Sequence, residues 1–500
     1  MVLVRFSLVF CLTFSALAAP DIRITAGLQK DQILQRDLEG LGQASLTGTT
    51  TGKKLNGKAV EARLIGSNGV VKDWQTVGQV QKQAWTAQIK GIPTGGPYRL
   101  EVRIEGLPGT AFVDDILVGD LWVLAGQSNM EGLGDLVEVQ RPDPLVHSFD
   151  MADHWELAQE PLHTLVGAAD RIHWRRNPQG EYERLTGAPL QQYIQERKKG
   201  AGLGLPFAVI MASRTGIPVG LIPCAHGGTS MEQWSPALRD QAGDSLYGSM
   251  YRRFMAVGGK VRGVLWYQGE SDANAKSARE FERNFLAFVR AVRRDFREPD
   301  LPFYYVQIGR HINDTNTTEW NQIQEAQLKA ESEIHNAGMV VSVDLSLDDG
   351  IHVSTPDLKR LGSRLADRVC HDLFPRLADY GELKPGPRPV GAFCRNGVLK
   401  VQFTGVNIRL EAPGRISGFS IHGADGKPVA AIYKAVVDPA EASTVLLFVT
   451  GKLPDKASVW YGFGKDPYCN LHDAEDFAVP VFGPLTIQNE PQQVILPTTP

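Results

Sequence analysis

Four short polar segments hold the residues able to do chemistry: Gly126-Gln127-Ser128-Asn129, Ala225-His226-Gly227-Gly228-Thr229-Ser230, Tyr267-Gln268-Gly269-Glu270-Ser271-Asp272 and Asp348-Asp349-Gly350-Ile351-His352. Together they supply a hydroxyl, glycine amides, a side-chain amide and an acid–imidazole pair, the parts needed for nucleophilic acyl transfer. Serine attacks well only when a base takes its proton, so Ser128 is the expected nucleophile and His352 the base. Asp349, three residues before His352, can fix the imidazole from the same tight turn. Asp348 and Glu270 are its rivals for that task. The tetrahedral oxyanion needs donors already in place, and the amides of Ser128 and Gly227 with the side chain of Gln268 are the expected set. Taken singly, each segment has an ordinary structural reading: a helix cap for Ser128, a turn for Gly227-Gly228, a surface or capping group for His352. Their joint placement is what favours catalysis.

That placement follows from the elements around them. ILVGDLWVLAG, IPVGLIPCA, VRGVLWYQG, LPFYYVQIG and GMVVSVDLS are near-continuous apolar runs, as expected of strands buried on both faces of a parallel sheet. The polar segments follow the first, second, third and fifth runs. In open α/β sheets ligands sit beyond the carboxyl ends of the strands, so the four segments converge on one edge. SAREFERNFLAFVRAVRRDFRE places Phe281, Phe285, Phe288, Val289, Val292 and Phe296 on one face of a 3.6-residue period, a covering helix.

Outside this α/β region the pattern is β. In YRLEVRIEG, Tyr98, Leu100, Val102 and Ile104 alternate with charged residues, the period of a half-buried strand. Strand signals return after Lys384-Pro385-Gly386-Pro387-Arg388-Pro389 in VLKVQF, TVLLFV and SVWYGF, with a hairpin-like Asp425-Gly426. The expected organisation is a signal peptide at 1–18, an N-terminal β-sandwich at 19–114, an α/β domain at 115–378, a C-terminal β domain at 379–488 and a tail at 489–500. The signal peptide rests on Arg5, the apolar stretch from Phe6 to Leu17 and Ala16-Leu17-Ala18, an A-x-A cleavage site. A periplasmic or extracellular protein is therefore expected, without a membrane span.

Composition bounds the remaining possibilities. The chain of 500 residues is 43% hydrophobic and 22% charged, with 52 basic and 56 acidic side chains. Such balance provides apolar material for more than one core and no global field to draw nucleic acid. Neither H-E-x-x-H nor a G-x-x-x-x-G-K-[ST] loop occurs, so no metal or nucleotide site is expected, nor any organic cofactor. G-Q-S-N-M lacks the second glycine of the G-x-S-x-G elbow of α/β-hydrolases. Apart from Cys11, four cysteines remain (Cys224, Cys370, Cys394 and Cys469), and buried thiols or disulfides are both open. Trp155, Trp174, Arg171, Arg175 and Arg176 between the first two strands suit sugar rings or carboxylates but also suit a core and a solvated turn. Trp234, close to the glycine block, is the expected sugar-stacking residue, and Asn129 a further substrate contact. Two sequons, Asn313-Asp314-Thr315 and Asn316-Thr317-Thr318, read as a polar loop.

GQSNMEG, PCAHGGTSMEQW, LWYQGESDA and DDGIHVS, in this order, resemble the sialate O-acetylesterase-like branch of the SGNH (GDSL-type) hydrolases, which includes bacterial acetylxylan esterases. The resemblance spans about Asp115 to Val369. It implies a flavodoxin-like α/β/α fold and a serine esterase removing O-acetyl groups from sialate- or xylan-type glycans. By motif it implies Ser128 as nucleophile, His352 as base, Asp349 as acid and Gly227 as an oxyanion donor. The third block carries Gln268-Gly269-Glu270 where the wider superfamily has asparagine, so Gln268 is the expected third donor and Glu270 an alternative acid. The competing function is a carbohydrate-binding protein with an inactive esterase-like core.

Overall fold

A computed structural model describes residues 22–51, 55–312, 318–377 and 382–489. The signal-peptide segment, both sequons except Thr318, and nearly all of the tail lie outside them. The described chain falls into two compact units, one made of most of residues 22–116 and one running from Leu117 to the C-terminus, with Asp31–Gly42 and Pro93–Gly95 added.

In the first unit the strands pair antiparallel, Ile22–Ala26 on Leu41–Thr50 and Ala59–Gly66 on both Gly69–Gln81 and Gly95–Ile104. The alternation read from YRLEVRIEG appears as burial: Tyr98, Leu100, Val102 and Ile104 are buried and the charged residues between them are not.

The second unit is built on five strands, β1 (Thr110–Gly126, which enters this unit at Leu117), β2 (Val219–Pro223), β3 (Gly263–Tyr267), β4 (Phe303–Gln307) and β5 (Ala337–Val341). They are hydrogen-bonded in the order 2-1-3-4-5, every pair parallel, the doubly wound order of flavodoxin-like sheets. Val146–Phe149 extends the β2 edge, again parallel. All residues of β2, β3 and β4 are buried, which explains why these strands read as unbroken apolar runs.

Helices cover the sheet. α1 (Ser128–Glu131) is a single turn, followed by α2 (Gly204–Thr215), α3 (Leu246–Ala256), α4 (Ala278–Asp295), α5 (Glu319–Glu333) and α6 (Thr355–Leu373). The apolar stripe of α4 is buried as its period requires, with Phe285 edge-on to Phe303 and Tyr305 of β4. Tyr304, between them, packs instead near Trp122, whose ring also meets Phe207 of α2. Because successive strand residues point to opposite faces, α4 and α2 lie on opposite sides of the sheet. Gly362 of α6 lets that helix approach α2: a Cβ there would sit 2.9 Å from Leu203 O and Phe207 N.

Toward the C-terminus an eight-stranded β assembly follows. Arg388–Arg395 and Val398–Thr404 form a hairpin turning at Asn396-Gly397, both at positive φ, the type I′ geometry. Asp425-Gly426 does lie between paired strands, Phe419–His422 and Pro428–Val429. Gln307 of β4 donates to Val481 O and accepts from Val481 N, so this region docks on the sheet through paired hydrogen bonds. The four described cysteines are free thiols, three of them buried. No described helix is long and apolar enough to cross a membrane.

Candidate active site

The end of β1 is fixed by a glycine. Gly126 has φ +137°, and a Cβ on it would stand 2.2 Å from Tyr267 O, so only glycine lets the ends of β1 and β3 touch. Gln127 N then donates to Tyr267 O at 2.9 Å and becomes the N-cap of α1. Ser128 is therefore the first residue of the helix rather than its cap. Its N–H belongs to the first turn, where no intrahelical acceptor exists.

The imidazole comes from the loop between β5 and α6. Asp349 Oδ2 lies 2.8 Å from His352 Nδ1 and 2.9 Å from Lys199 Nζ. Its Oδ1 accepts the N–H groups of Ile351 at 3.0 Å and His352 at 2.9 Å. Burial would raise this carboxyl, but the His352 hydrogen bond and the other donors outweigh it and hold Asp349 well below the usual carboxylate range. An acceptor-only carboxylate on Nδ1 places the ring proton there and leaves Nε2 as the basic atom.

The rival acids are engaged elsewhere. Asp348 Oδ2 accepts Asp135 N at 2.8 Å and Thr355 N at 3.0 Å, tying the loop to the start of α6. Glu270 Oε1 accepts Asn129 Nδ2 at 2.9 Å, its Oε2 is buried without a partner, and burial pushes the carboxyl up to about 7. Among the described residues neither touches the His352 ring.

Asn129 has a different place from the one expected. Its Nδ2 also reaches Ile351 O at 3.3 Å and its Oδ1 accepts Val353 N at 3.0 Å. Ile351 and Val353 flank His352, so Asn129 straps the imidazole loop to the residue after Ser128. With its amide used on the protein, it is a strut rather than a sugar contact. No hydrogen bond joins the Ser128 hydroxyl to His352 among the described residues; apo catalytic pairs are often loose.

Two expected oxyanion donors are also corrected. Gly227 does lie against Ser128, since a Cβ on it would be 3.4 Å from Ser128 Cβ. Its N–H, however, donates to Glu131 Oε2 at 2.7 Å. Burial pushes Glu131 up to about 7, against the pull of Gly227 N–H and Arg197. Gln268 turns its Nε2 to Thr229 O at 3.0 Å and Asp272 Oδ2 at 2.5 Å, so its donors point into the protein. Of the expected set, only the Ser128 amide is without such an acceptor among the described residues.

Trp234 is corrected as well. It is 0% exposed, edge-on to Trp266 at 5.3 Å, and its Nε1 donates to Thr229 Oγ1 at 3.0 Å. A ring with no exposed face cannot stack on a sugar. Trp155 is buried too, against Phe149. Sequence reasoning missed Lys199, which has no local motif, and Glu131, which stands inside the GQSNMEG segment and becomes visible only once Gly227 is packed beside it.

The geometry fits what similarity to known proteins finds. The family described as carbohydrate esterase, sialic acid-specific acetylesterase matches residues 118–371, half of the chain. A probable carbohydrate esterase of Arabidopsis thaliana is 28% identical over 272 residues, covering 49% of this chain and 88% of the relative. Human sialate O-acetylesterase is 21% identical over 436 residues, covering 76% of each. A solved carbohydrate acetylesterase from Xanthomonas citri shares the fold, with a TM-score of 0.64 at 23% identity over 92% of this chain and 99% of that one. Resting on the family match and not on any one relative, the conclusion is that the chain belongs to the carbohydrate esterase, sialic acid-specific acetylesterase family and is an esterase.

Proposed function

We propose that this esterase removes acetyl groups from sugar hydroxyls through an acetyl–Ser128 intermediate. His352 Nε2 takes the Ser128 proton as Oγ attacks the acetyl carbonyl, and Asp349 stabilises the imidazolium that forms. The Ser128 N–H donates to the developing oxyanion. The proton then passes to the departing sugar oxygen, and water, activated by the same imidazole, hydrolyses the acetyl–enzyme. The observation that carries this reading is the 2.8 Å contact between Asp349 and His352 in a loop strapped by Asn129 to the nucleophile turn. The catalytic region is residues 115–378, flanked by β regions at 19–114 and 379–488. Arg5, the apolar stretch after it and Ala16-Leu17-Ala18 support export.

Acetate release from acetylated xylan, acetylated pectin and O-acetyl sialic acid, measured beside 4-nitrophenyl acetate, tests the proposal. Wild type should hydrolyse the simple ester and at least one glycan, and Ser128→Ala should hydrolyse none. A Ser128→Ala protein that keeps the rate overturns the nucleophile. A folded wild type without activity on any ester, yet retained on a glycan, would favour the carbohydrate-binding alternative.

A further inference from the structure

The second polar segment contains a residue that the mechanism does not use. His226 stands between β2 and Gly227, and its backbone N–H donates to Gly126 O at 3.1 Å. It is partly buried beside the Ser128 turn. Its Nδ1 lies 3.2 Å from Nδ1 of His173, with the rings stacked at 5.3 Å. Nε2 of His226 has no protein partner among the described residues.

The protons along this contact are fixed from its far end. Arg252 grips Asp170 with two N–H groups, Nε to Oδ1 at 2.7 Å and Nη2 to Oδ2 at 2.9 Å. A carboxylate held this way only accepts. Ser249 therefore donates its hydroxyl to Asp170 Oδ2, at 2.6 Å, and has only lone pairs to offer His173 Nε2, 3.2 Å away. His173 must carry its proton on Nε2 and present a bare Nδ1. His226 must then donate from Nδ1, and its own Nε2 is left with a free lone pair. Burial pushes His226 down to about 4 and His173 well below the ordinary histidine range, so both rings are neutral near neutral pH.

We propose that His226 Nε2 is a fixed hydrogen-bond acceptor for a hydroxyl of the sugar that carries the ester, set in that state by the His173–Ser249–Asp170–Arg252 relay. The proposal rests on the esterase reading above and makes His226 a specificity-determining residue. A neutral lone pair accepts an O–H and repels a carboxylate, so the group it takes is a sugar hydroxyl near the ester. A hydroxyl donor that loses this acceptor leaves a hydrogen bond unmade, worth about tenfold in kcat/KM.

The test compares a monoacetylated methyl glycoside bearing a free hydroxyl next to the ester with its deoxy analogue. Wild type should prefer the hydroxyl-bearing ester about tenfold or more, and His226→Phe should remove most of that preference. His226→Gln, whose carbonyl oxygen can accept, should restore part of it. A His226→Phe enzyme with the wild-type preference overturns the proposal. Wild type inactive on both esters and on 4-nitrophenyl acetate overturns the esterase reading, and this proposal with it. A second measurement needs no activity: nitrogen-15 correlation spectra of the neutral imidazoles should place the His226 proton on Nδ1 in wild type. Ser249→Ala should shift it toward Nε2. A wild-type His226 protonated on Nε2 overturns the relay.

Discussion

The protein contains two serine–histidine–aspartate sets a short distance apart in the fold, and they are wired in opposite ways. In one, Asp349 holds Nδ1 of His352, and among the described residues no carboxylate accepts a hydrogen bond from the Ser128 hydroxyl. In the other, Asp170 takes the hydroxyl of Ser249 directly, and His173 donates to the same oxygen. A serine whose proton is already given to a carboxylate, beside an imidazole that presents N–H, has no base to activate it. Ser249 is also 0% exposed. The same three residue types are thus hydrogen-bonded in two different patterns, the first of which we propose to be reactive and the second a proton-fixing relay. What separates them is which atom the carboxylate grips, and whether the site is open.

The comparison breaks first on the serines. Ser128→Ala should lower kcat for 4-nitrophenyl acetate by about five orders of magnitude. Ser249→Ala should cost that ester less than about tenfold, because its serine does no chemistry. Equal losses would make the two sets equivalent. Asp349→Asn should lower kcat by about three to four orders of magnitude, by releasing the imidazole to the wrong tautomer. A small loss there, with a large one for Glu270→Gln, would move the acid to the third segment.

Stability sharpens the contrast further. Arg252 bridges Asp153 and Asp170, and Arg253 adds Asp153 with Phe149 O and Asp150 O. Arg252→Met leaves Asp170 without its cation and should cost about 3–5 kcal/mol in urea unfolding. Glu131 supplies a pH signature. Burial pushes this carboxyl up to about 7 from the ordinary glutamate value of 4.5, so the folded state holds that proton more tightly. Stability is lost as pH rises between these two values. Glu131→Gln should therefore gain more stability relative to wild type at pH 8 than at pH 5, and a pH-independent difference would refute the raised pKa. The smallest effect belongs to Trp234→Phe, about 1–3 kcal/mol of stability with KM for an acetylated glycan unchanged. A KM change without destabilisation would return Trp234 to the sugar.

Much of the architecture was legible from local pattern. The buried strands announced themselves as apolar runs, α4 by its 3.6-residue stripe, and the strand at Gly95–Ile104 by alternation. These signals are short-range, because an element's buried face is set by the spacing of its own residues. The same logic brought Gly227 beside Ser128 and joined Asp349 to His352 in one turn, contacts the structure contains. It failed where a residue's role depends on a partner far along the chain.

The sequence alone determined the strand ends, the glycine that β1 and β3 require, and the D-x-x-H turn, in which acid and imidazole need only three residues to meet. Tertiary structure decided the rest. Trp234, two residues past Glu232, became core because Trp266 of β3 packs against it. Gln268 turned its amide toward Asp272, Asn129 became a strut, and Glu131 took the Gly227 amide. Each outcome is a competition for hydrogen-bond partners in a dry interior, where an unsatisfied donor is costly and the winner is the nearest group in space. Residue type lists the competitors; only the folded chain brings them within 3 Å of one another.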